Sequence, residues 1–332
     1  MKFRAFTALS LLLFYAISAS FAATGHSGGA NAQAGPSTPS SVETVANGVS
    51  GGQTIRSLPL ELLTVNDIEV AGIANVVSNV AGNSRNAVAG PAAVARKLVS
   101  REDLAFALAQ QFDYPYLSQG DTSLSTDLVA AYKPFSHAGE TLRAVRSQLR
   151  LRWLNTARSR KVLAVVSPAS GEGRSFVAAN LAIVFAQHGE RTLLIDGDLR
   201  SAHQQELFRL QKTAGLSGIL AGRADLRAAM VVAGLPGLIV LPSGPVPPNP
   251  QELLGRVAFT ALLQASIQQF DVIIIDTPSA DEFADAEIIA ANAGAALMVA
   301  RKNKTVLPKA AQLARRLQTN GVDVIGSVLN DA

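Results

Sequence analysis

Asp271-Val272-Ile273-Ile274-Ile275-Asp276, followed by Thr277-Pro278, decides how this chain folds. Four consecutive β-branched residues stand between two carboxylates, with no alternation of polar and apolar positions. A strand that faces water on one side alternates. A strand covered on both sides reads as an unbroken apolar run, as strands of parallel sheets do. Asp276 then marks the end of a buried strand.

Working outward, similar short runs recur at Val162–Ser167, Thr192–Asp196, Leu238–Leu241, Ala295–Ala300 and Val324–Leu329. Helical stretches separate them, notably Ser175–His188, Gln251–Gln269, Asp285–Asn292 and Val306–Asn320. The alternation predicts an α/β fold, a doubly wound, mostly parallel sheet with right-handed crossovers. Such sheets bind ligands beyond the carboxyl ends of their strands, and three motifs fall at those ends.

The first motif is Ser167-Pro-Ala-Ser-Gly171-Glu-Gly173-Arg174-Ser175-Phe176, between a strand and a helix. Its glycines let backbone N–H groups converge on phosphate oxygens, and the helix N-terminus adds positive potential. Ser170 through Phe176 (with Gly171, Glu172, Gly173, Arg174 and Ser175) are the expected ATP-binding residues, and Ser175 supplies a hydroxyl for Mg²⁺. Against the phosphate-loop pattern G-x-x-x-x-G-K-[ST], Pro168 stands at the first glycine and Arg174 at the lysine. Arginine keeps the charge but is bulkier and forked, so it does not place a phosphate as an ammonium does. The alternative is a glycine-rich β–α turn without a ligand.

The second motif is Thr192-Leu-Leu-Ile-Asp196-Gly-Asp198-Leu-Arg200. Alternate residues of an extended segment point the same way, which predicts a shared focus for Asp196 and Asp198. Two carboxylates beside a triphosphate suit one Mg²⁺ ligand and one general base; otherwise they are solvated turn acids. The third motif is Asp276 itself, placed to hold Mg²⁺ directly or through water, or else an ordinary strand-end aspartate. The order and spacing of all three are those of one phosphate-loop domain.

The rest of the chain bounds the reading. At 332 residues, two domains are expected. There is no cysteine, which excludes disulfides and thiolate metal sites. His26, His137, His188 and His203 show no ligand spacing. The net charge of +4 gives no reason to expect nucleic acid as a partner. Residues 1–23 place Lys2 and Arg4 before the apolar run Ala5–Ala23, a signal-like or anchor-like pattern. An ATP site has no use outside the cell, and the several agreeing motifs weigh for cytoplasmic residence. Residues 24–55 read as a flexible linker, 56–118 as a small helical domain preceding the sheet, 119–160 as a connector with a basic helix, and 161–332 as the phosphate-loop domain. In the helix expected over Ser136–Leu154, Leu142, Val145, Leu149 and Trp153 form an apolar stripe, with Arg143, Arg146 and Arg150 on its flank.

These segments, with Leu241-Pro-Ser-Gly-Pro-Val-Pro-Pro-Asn-Pro-Gln-Glu-Leu-Leu254, resemble the bacterial tyrosine kinases of exopolysaccharide synthesis, within the MinD/ParA-like ATPases. Gln111–Leu117 and Gly326–Asp331 resemble the kinases associated with chain-length determination. The resemblance implies ATP and Mg²⁺ as cofactors, with Arg174 on the phosphates. It makes Asp196 the group that activates the attacking hydroxyl, and Ser175, Asp198 and Asp276 the metal-binding groups. It implies a membrane chain-length determinant as partner and residence at the inner membrane. Glu140, Arg143 and Arg146 match the E-x-x-R-x-x-R element through which such kinases pack into rings. The tyrosines are Tyr15, Tyr114, Tyr116 and Tyr132, so the tyrosine-rich tail usual in the family is expected to be missing and transfer to act elsewhere. Two alternatives stay open: a non-catalytic ATP-binding regulator of the polysaccharide machinery, and a MinD/ParA-like ATPase cycling on a surface.

Overall fold

The computed structural model describes residues 2–4, 114–118, 120–155 and 160–331, with isolated positions between 94 and 109. The signal-like run Ala5–Ala23, the linker and most of the small helical domain lie outside the described residues.

In chain order the strands are β1 (Lys2–Arg4), β2 (Val162–Val166), β3 (Thr192–Asp196), β4 (Met230–Val231), β5 (Leu238–Leu241), β6 (Val272–Asp276), β7 (Ala295–Arg301) and β8 (Asp323–Asp331). The helices are α1 (Val129–Tyr132), α2 (His137–Leu149), α3 (Arg174–Gln187), α4 (Gln204–Leu207), α5 (Gly215–Leu220), α6 (Pro250–Leu254), α7 (Val257–Gln269), α8 (Asp285–Ala293) and α9 (Leu307–Thr319). All strands join one sheet of order β1-β8-β7-β2-β6-β3-β5-β4. From β8 to β5 every pairing is parallel. The edge strands β1 and β4 run antiparallel.

The unbroken apolar runs are explained by two cores, one on each face. Leu163, Val165, Leu194, Val272, Ile274 and Leu297 pack on the side of α2 and α3, with Val177, Leu181 and Phe185. The alternating partners Val162, Ala164, Leu193, Ile195, Ile273 and Ile275 pack on the other side against α6 to α9. Burying both faces of a Val or Ile run removes each side chain from water at about 1.5–3 kcal/mol apiece. That gain leaves no role for a polar residue until the strand ends.

β6 is seated between β2 and β3, and Asp276 is in register with Val165 on one side and Asp196 on the other. The carboxyl ends that carry the three motifs are therefore adjacent.

Four details differ from the sequence reading. The helix expected over Gln251–Gln269 is broken into α6 and α7, because Arg256 takes an extended conformation. The helix expected to run to Leu154 is α-helical to Leu149 and widens into one π-helical turn at Arg150–Leu154. The connector contains α1, and the strands β1 and β4 were too short to show a period.

α2 begins at a polar cap. The Ser136 hydroxyl accepts from Gly139 N at 3.2 Å and donates to Lys133 O at 2.6 Å. Losing an N-cap side chain costs about 1 kcal/mol. Ser136→Ala is expected to lower the unfolding free energy by about that much in urea melts, with an unchanged slope. No change in midpoint would show that the cap contributes nothing.

Candidate functional site

The loop after β2 is shaped by two glycines with left-handed backbone, Gly171 at φ +70° and Gly173 at φ +94°. Gly173 caps α3, and a Cβ on it would lie 2.4 Å from Asn330 Nδ2. The loop is held from behind. Glu172 is fully buried. Its carboxylate accepts from Ala169 N at 2.9 Å and from the Thr305 hydroxyl. Its backbone carbonyl accepts from Asn330 Nδ2 at 3.1 Å. Expected among the ATP-binding residues, Glu172 instead shapes the loop from inside and does not line the cavity in front of it. A carboxylate with a backbone N–H and a hydroxyl close by is drawn to those donors.

That cavity has a volume of about 300 Å³ and is lined by Ser170, Gly171, Gly173, Arg174, Ser175, Phe176, Asp198 and Arg200, with Phe283 opposite. The Arg200 guanidinium stacks 3.7 Å above the Phe283 ring and is held by Asp285 at 2.8 Å. Neither Arg200 nor Phe283 was among the expected site residues. Arg200 stood in the quoted second motif, but no local pattern connects it to position 283.

Arg174, expected on the phosphates, borders the cavity with part of its guanidinium turned to the chain itself. It is buried, and its guanidinium donates to Thr277 O at 2.9 Å, Ala169 O at 2.9 Å and the Ser167 hydroxyl. A forked donor can satisfy several oxygens at once, and here it satisfies three of its own chain. Its Nε and Nη1 are thereby engaged by the chain itself, while the side chain still borders the cavity.

Asp196 and Asp198 lie close enough for their charges to interact but differ in exposure. Asp198 borders the cavity, and its Oδ1 accepts from Arg200 N at 3.0 Å and Ser201 N at 2.8 Å. Asp196 lies beneath, fully buried. It accepts from Asp198 N at 3.2 Å, His203 N at 3.2 Å and Gln204 N at 3.0 Å. The Gly197 N–H continues the β3–β6 ladder to Asp276 O at 2.9 Å, and the chain bends only from Leu199 onward. A catalytic base must reach the proton it takes, and in this geometry Asp198, not Asp196, meets the cavity.

Asp276 is also fully buried. Its Oδ2 accepts from Gln204 Nε2 at 2.8 Å, while Oδ1 has no partner. Burial pushes its carboxyl up from the usual range, with the Arg174 charge, the nearby Ser175 hydroxyl and the Gln204 bond opposing. Burial pushes Asp196 up further, and the Asp276 charge adds to it. Among the described residues no three carboxylate or imidazole groups are arranged to hold a metal ion. A Mg²⁺ here would have to draw on the Ser175 hydroxyl, phosphate oxygens and water, with Asp276 Oδ1 as an acceptor for a metal-bound water. A buried carboxylate oxygen without a donor fits that group.

The residues expected at a ring interface are turned partly inward. Arg143 donates to Pro134 O and to the Tyr114 hydroxyl, the latter at 3.2 Å, and pairs with Glu140. Arg146 donates to Val184 O at 3.0 Å. The Glu140 side chain, 63% exposed, is the open member of the three. Among the described residues no helix is long and apolar enough to cross a membrane.

Residues 163–332 match the CobQ/CobB/MinD/ParA nucleotide binding domain. The chain belongs to that family. Relatives it resembles include tyrosine-protein kinases. YwqD of Bacillus subtilis is 34% identical over 207 residues, covering 62% of this chain and 86% of the relative. Wzc of Salmonella typhimurium is 35% identical over 205 residues, covering 62% of this chain but 28% of the relative. Among solved structures, the kinase domain of the Escherichia coli tyrosine kinase ETK superposes with a TM-score of 0.59 at 32% identity, over 62% of this chain and 80% of that one. The chimerical protein CapA2B2 gives 0.58 at 29% identity, over 67% and 96%.

Proposed function

We propose that this chain is an ATP- and Mg²⁺-dependent protein tyrosine kinase that works with a membrane chain-length determinant in exopolysaccharide export, at the cytoplasmic face of the inner membrane. The observation that carries the reading is the cavity itself. A glycine-shaped loop at the N-terminus of α3, the Ser175 hydroxyl and the Asp198 carboxylate border one space, with Asp276 directly behind. The loop N–H groups and the helix end suit phosphate oxygens. Ser175 suits the metal and Asp276 its water shell, which leaves Asp198 for the incoming hydroxyl. When bound, Mg²⁺ would neutralise charge developing on the phosphate oxygens. Asp198 is the carboxylate placed to orient or deprotonate an incoming hydroxyl, and Asp196 supports it by accepting the Asp198 N–H.

The reading of the chain as a nucleotide-dependent regulator without transfer is favoured by one observation: the Arg174 guanidinium is engaged with oxygens of its own chain. The two readings separate in one assay. Purified protein is incubated with γ-labelled ATP, Mg²⁺ and the cytoplasmic segment of the membrane partner. Label on tyrosine that disappears in Asp198→Asn is the expected result. Tight ATP binding with neither label nor phosphate release would overturn the kinase reading and leave the regulator.

A further inference from the structure

Gln204, the first residue of α4, touches all three motifs. Its backbone N–H donates to Asp196 Oδ2 at 3.0 Å. Its side-chain Nε2 donates to Asp276 Oδ2 at 2.8 Å and to the Ser175 carbonyl at 3.1 Å. The residue is fully buried, and its Oε1 has no partner. The orientation of the amide is fixed by chemistry. Reversing it would set Oε1 against two acceptors, so the nitrogen must face Asp276 and Ser175, and the oxygen must point away from them.

Two buried oxygens are thus left without donors in one small region, Asp276 Oδ1 and Gln204 Oε1. A buried acceptor costs free energy when unmade, and Asp276 Oδ1, on a carboxylate beside the cavity-lining Ser175, is explained if a donor arrives with a ligand. Metal-bound waters are such donors. Without the amide, the Asp276 carboxylate would be free to rotate about its last torsion, and either oxygen could turn away.

We propose that Gln204 is a positioning residue of the magnesium–nucleotide site, holding Asp276 by one oxygen so that the other receives the water shell of the metal. This rests on the ATP- and Mg²⁺-site reading above. Gln204 acts through Asp276 and touches neither substrate nor the transferred group. Groups that orient metal ligands from behind typically change metal affinity by about 10–100-fold when removed.

The test uses the full chain and a fluorescent N-methylanthraniloyl ATP, titrated with Mg²⁺ and separately with EDTA. Gln204→Leu keeps the backbone bond to Asp196 and removes only the amide. The expected result is that affinity in EDTA stays within about twofold of wild type, while the gain in affinity on adding Mg²⁺ shrinks about tenfold or more. A residue with a merely structural role would lower affinity equally in both conditions, and that outcome overturns the proposal. An unchanged magnesium gain also overturns it. Should Gln204→Leu fail to fold, Gln204→Met, closer in length and flexibility, gives the same readout. If the wild-type protein binds no nucleotide under either condition, the nucleotide-site reading itself fails, and this inference falls with it.

Discussion

An Asp276→Asn chain is expected to melt at a higher temperature than the wild type without nucleotide, and to bind ATP no more tightly in Mg²⁺ than in EDTA. The two halves have one cause. Asp276 is a fully buried carboxylate in register with Asp196, another fully buried carboxylate. The Arg174 charge offsets part of the cost, but burial still dominates and both carboxyls are pushed up. Replacing a poorly compensated buried charge by an amide of the same shape gains about 1–2 kcal/mol, or about 2–4 °C per kcal/mol for a domain of this size. The new amide can still accept from Gln204 Nε2, and it offers a donor where Oδ1 had none. It cannot present an anionic acceptor to a metal-bound water, so the gain on adding Mg²⁺ should fall by about 100-fold, the upper end of losses from such supporting groups. The pH dependence follows from the direction of the shifts. A carboxyl whose folded value is raised holds its proton more readily when folded, so its contribution is greatest below about pH 4 and is lost as pH rises through the folded value. The wild type should therefore lose more melting temperature than Asp276→Asn as pH rises from about 4 to neutral. Asp271 runs the other way, because Arg191 holds it down to about 2. Its contribution is present above about pH 4 and lost only in stronger acid, outside that window. Differential scanning fluorimetry and ATP titration measure both halves. A lower melting temperature together with an intact magnesium effect would sink the argument.

The sheet was legible because its signal is local. Val272–Asp276, Thr192–Asp196 and Leu238–Leu241 begin and end where the apolar runs do, since burial on two faces demands apolar residues at every position. The loop was legible for the same kind of reason, because glycines needing left-handed φ lie between a strand and a helix. The directions of the side chains were not legible. The pairing of Asp196 with Asp198 assumed extended backbone, but Gly197 is pressed against β6, where a Cβ would lie 2.6 Å from Asp276 O. That close pairing leaves Asp196 fully buried at the strand end, while Asp198 borders the cavity. Arg174 could be recognised as unusual, but not that Thr277, 103 residues away, would accept from it. Gln204 carries no motif at all. A lone glutamine after a turn looks like any other, and its two carboxylate partners become neighbours only when β3 and β6 pair.

The back of the loop shows the same dependence on distant residues, and it supports the second large effect. Glu172→Ala is expected to weaken nucleotide binding by roughly 10–100-fold, in EDTA as well as in Mg²⁺, although the carboxylate faces away from the cavity. Its bond to Ala169 N fixes the curve of the loop, and the Thr305 hydroxyl, 133 residues further on, closes the other oxygen. Hydrogen bonds to charged groups contribute about 1.5–3 kcal/mol, which is roughly the stated range in affinity. Thr305→Val should act in the same direction, since it leaves a buried carboxylate oxygen unpaired. The sharper expectation concerns the pair. In the Glu172→Ala background the Thr305 hydroxyl has already lost its acceptor, so adding Thr305→Val removes only the bond it accepts from Arg301 N at 2.7 Å and should cost clearly less than in the wild type, giving a coupling of about 1 kcal/mol or more in a double-mutant cycle. Additive losses would mean that the two residues act separately and that the loop is not braced through them. The contrast with Asp276→Asn is the useful part. A change behind the loop should weaken the nucleotide itself, whereas a change at the end of β6 should weaken only the contribution of the metal. Titrations with and without Mg²⁺ on these variants divide the site into a phosphate-binding half, held by β7 and β8, and a metal-binding half, held by β3, β6 and α4.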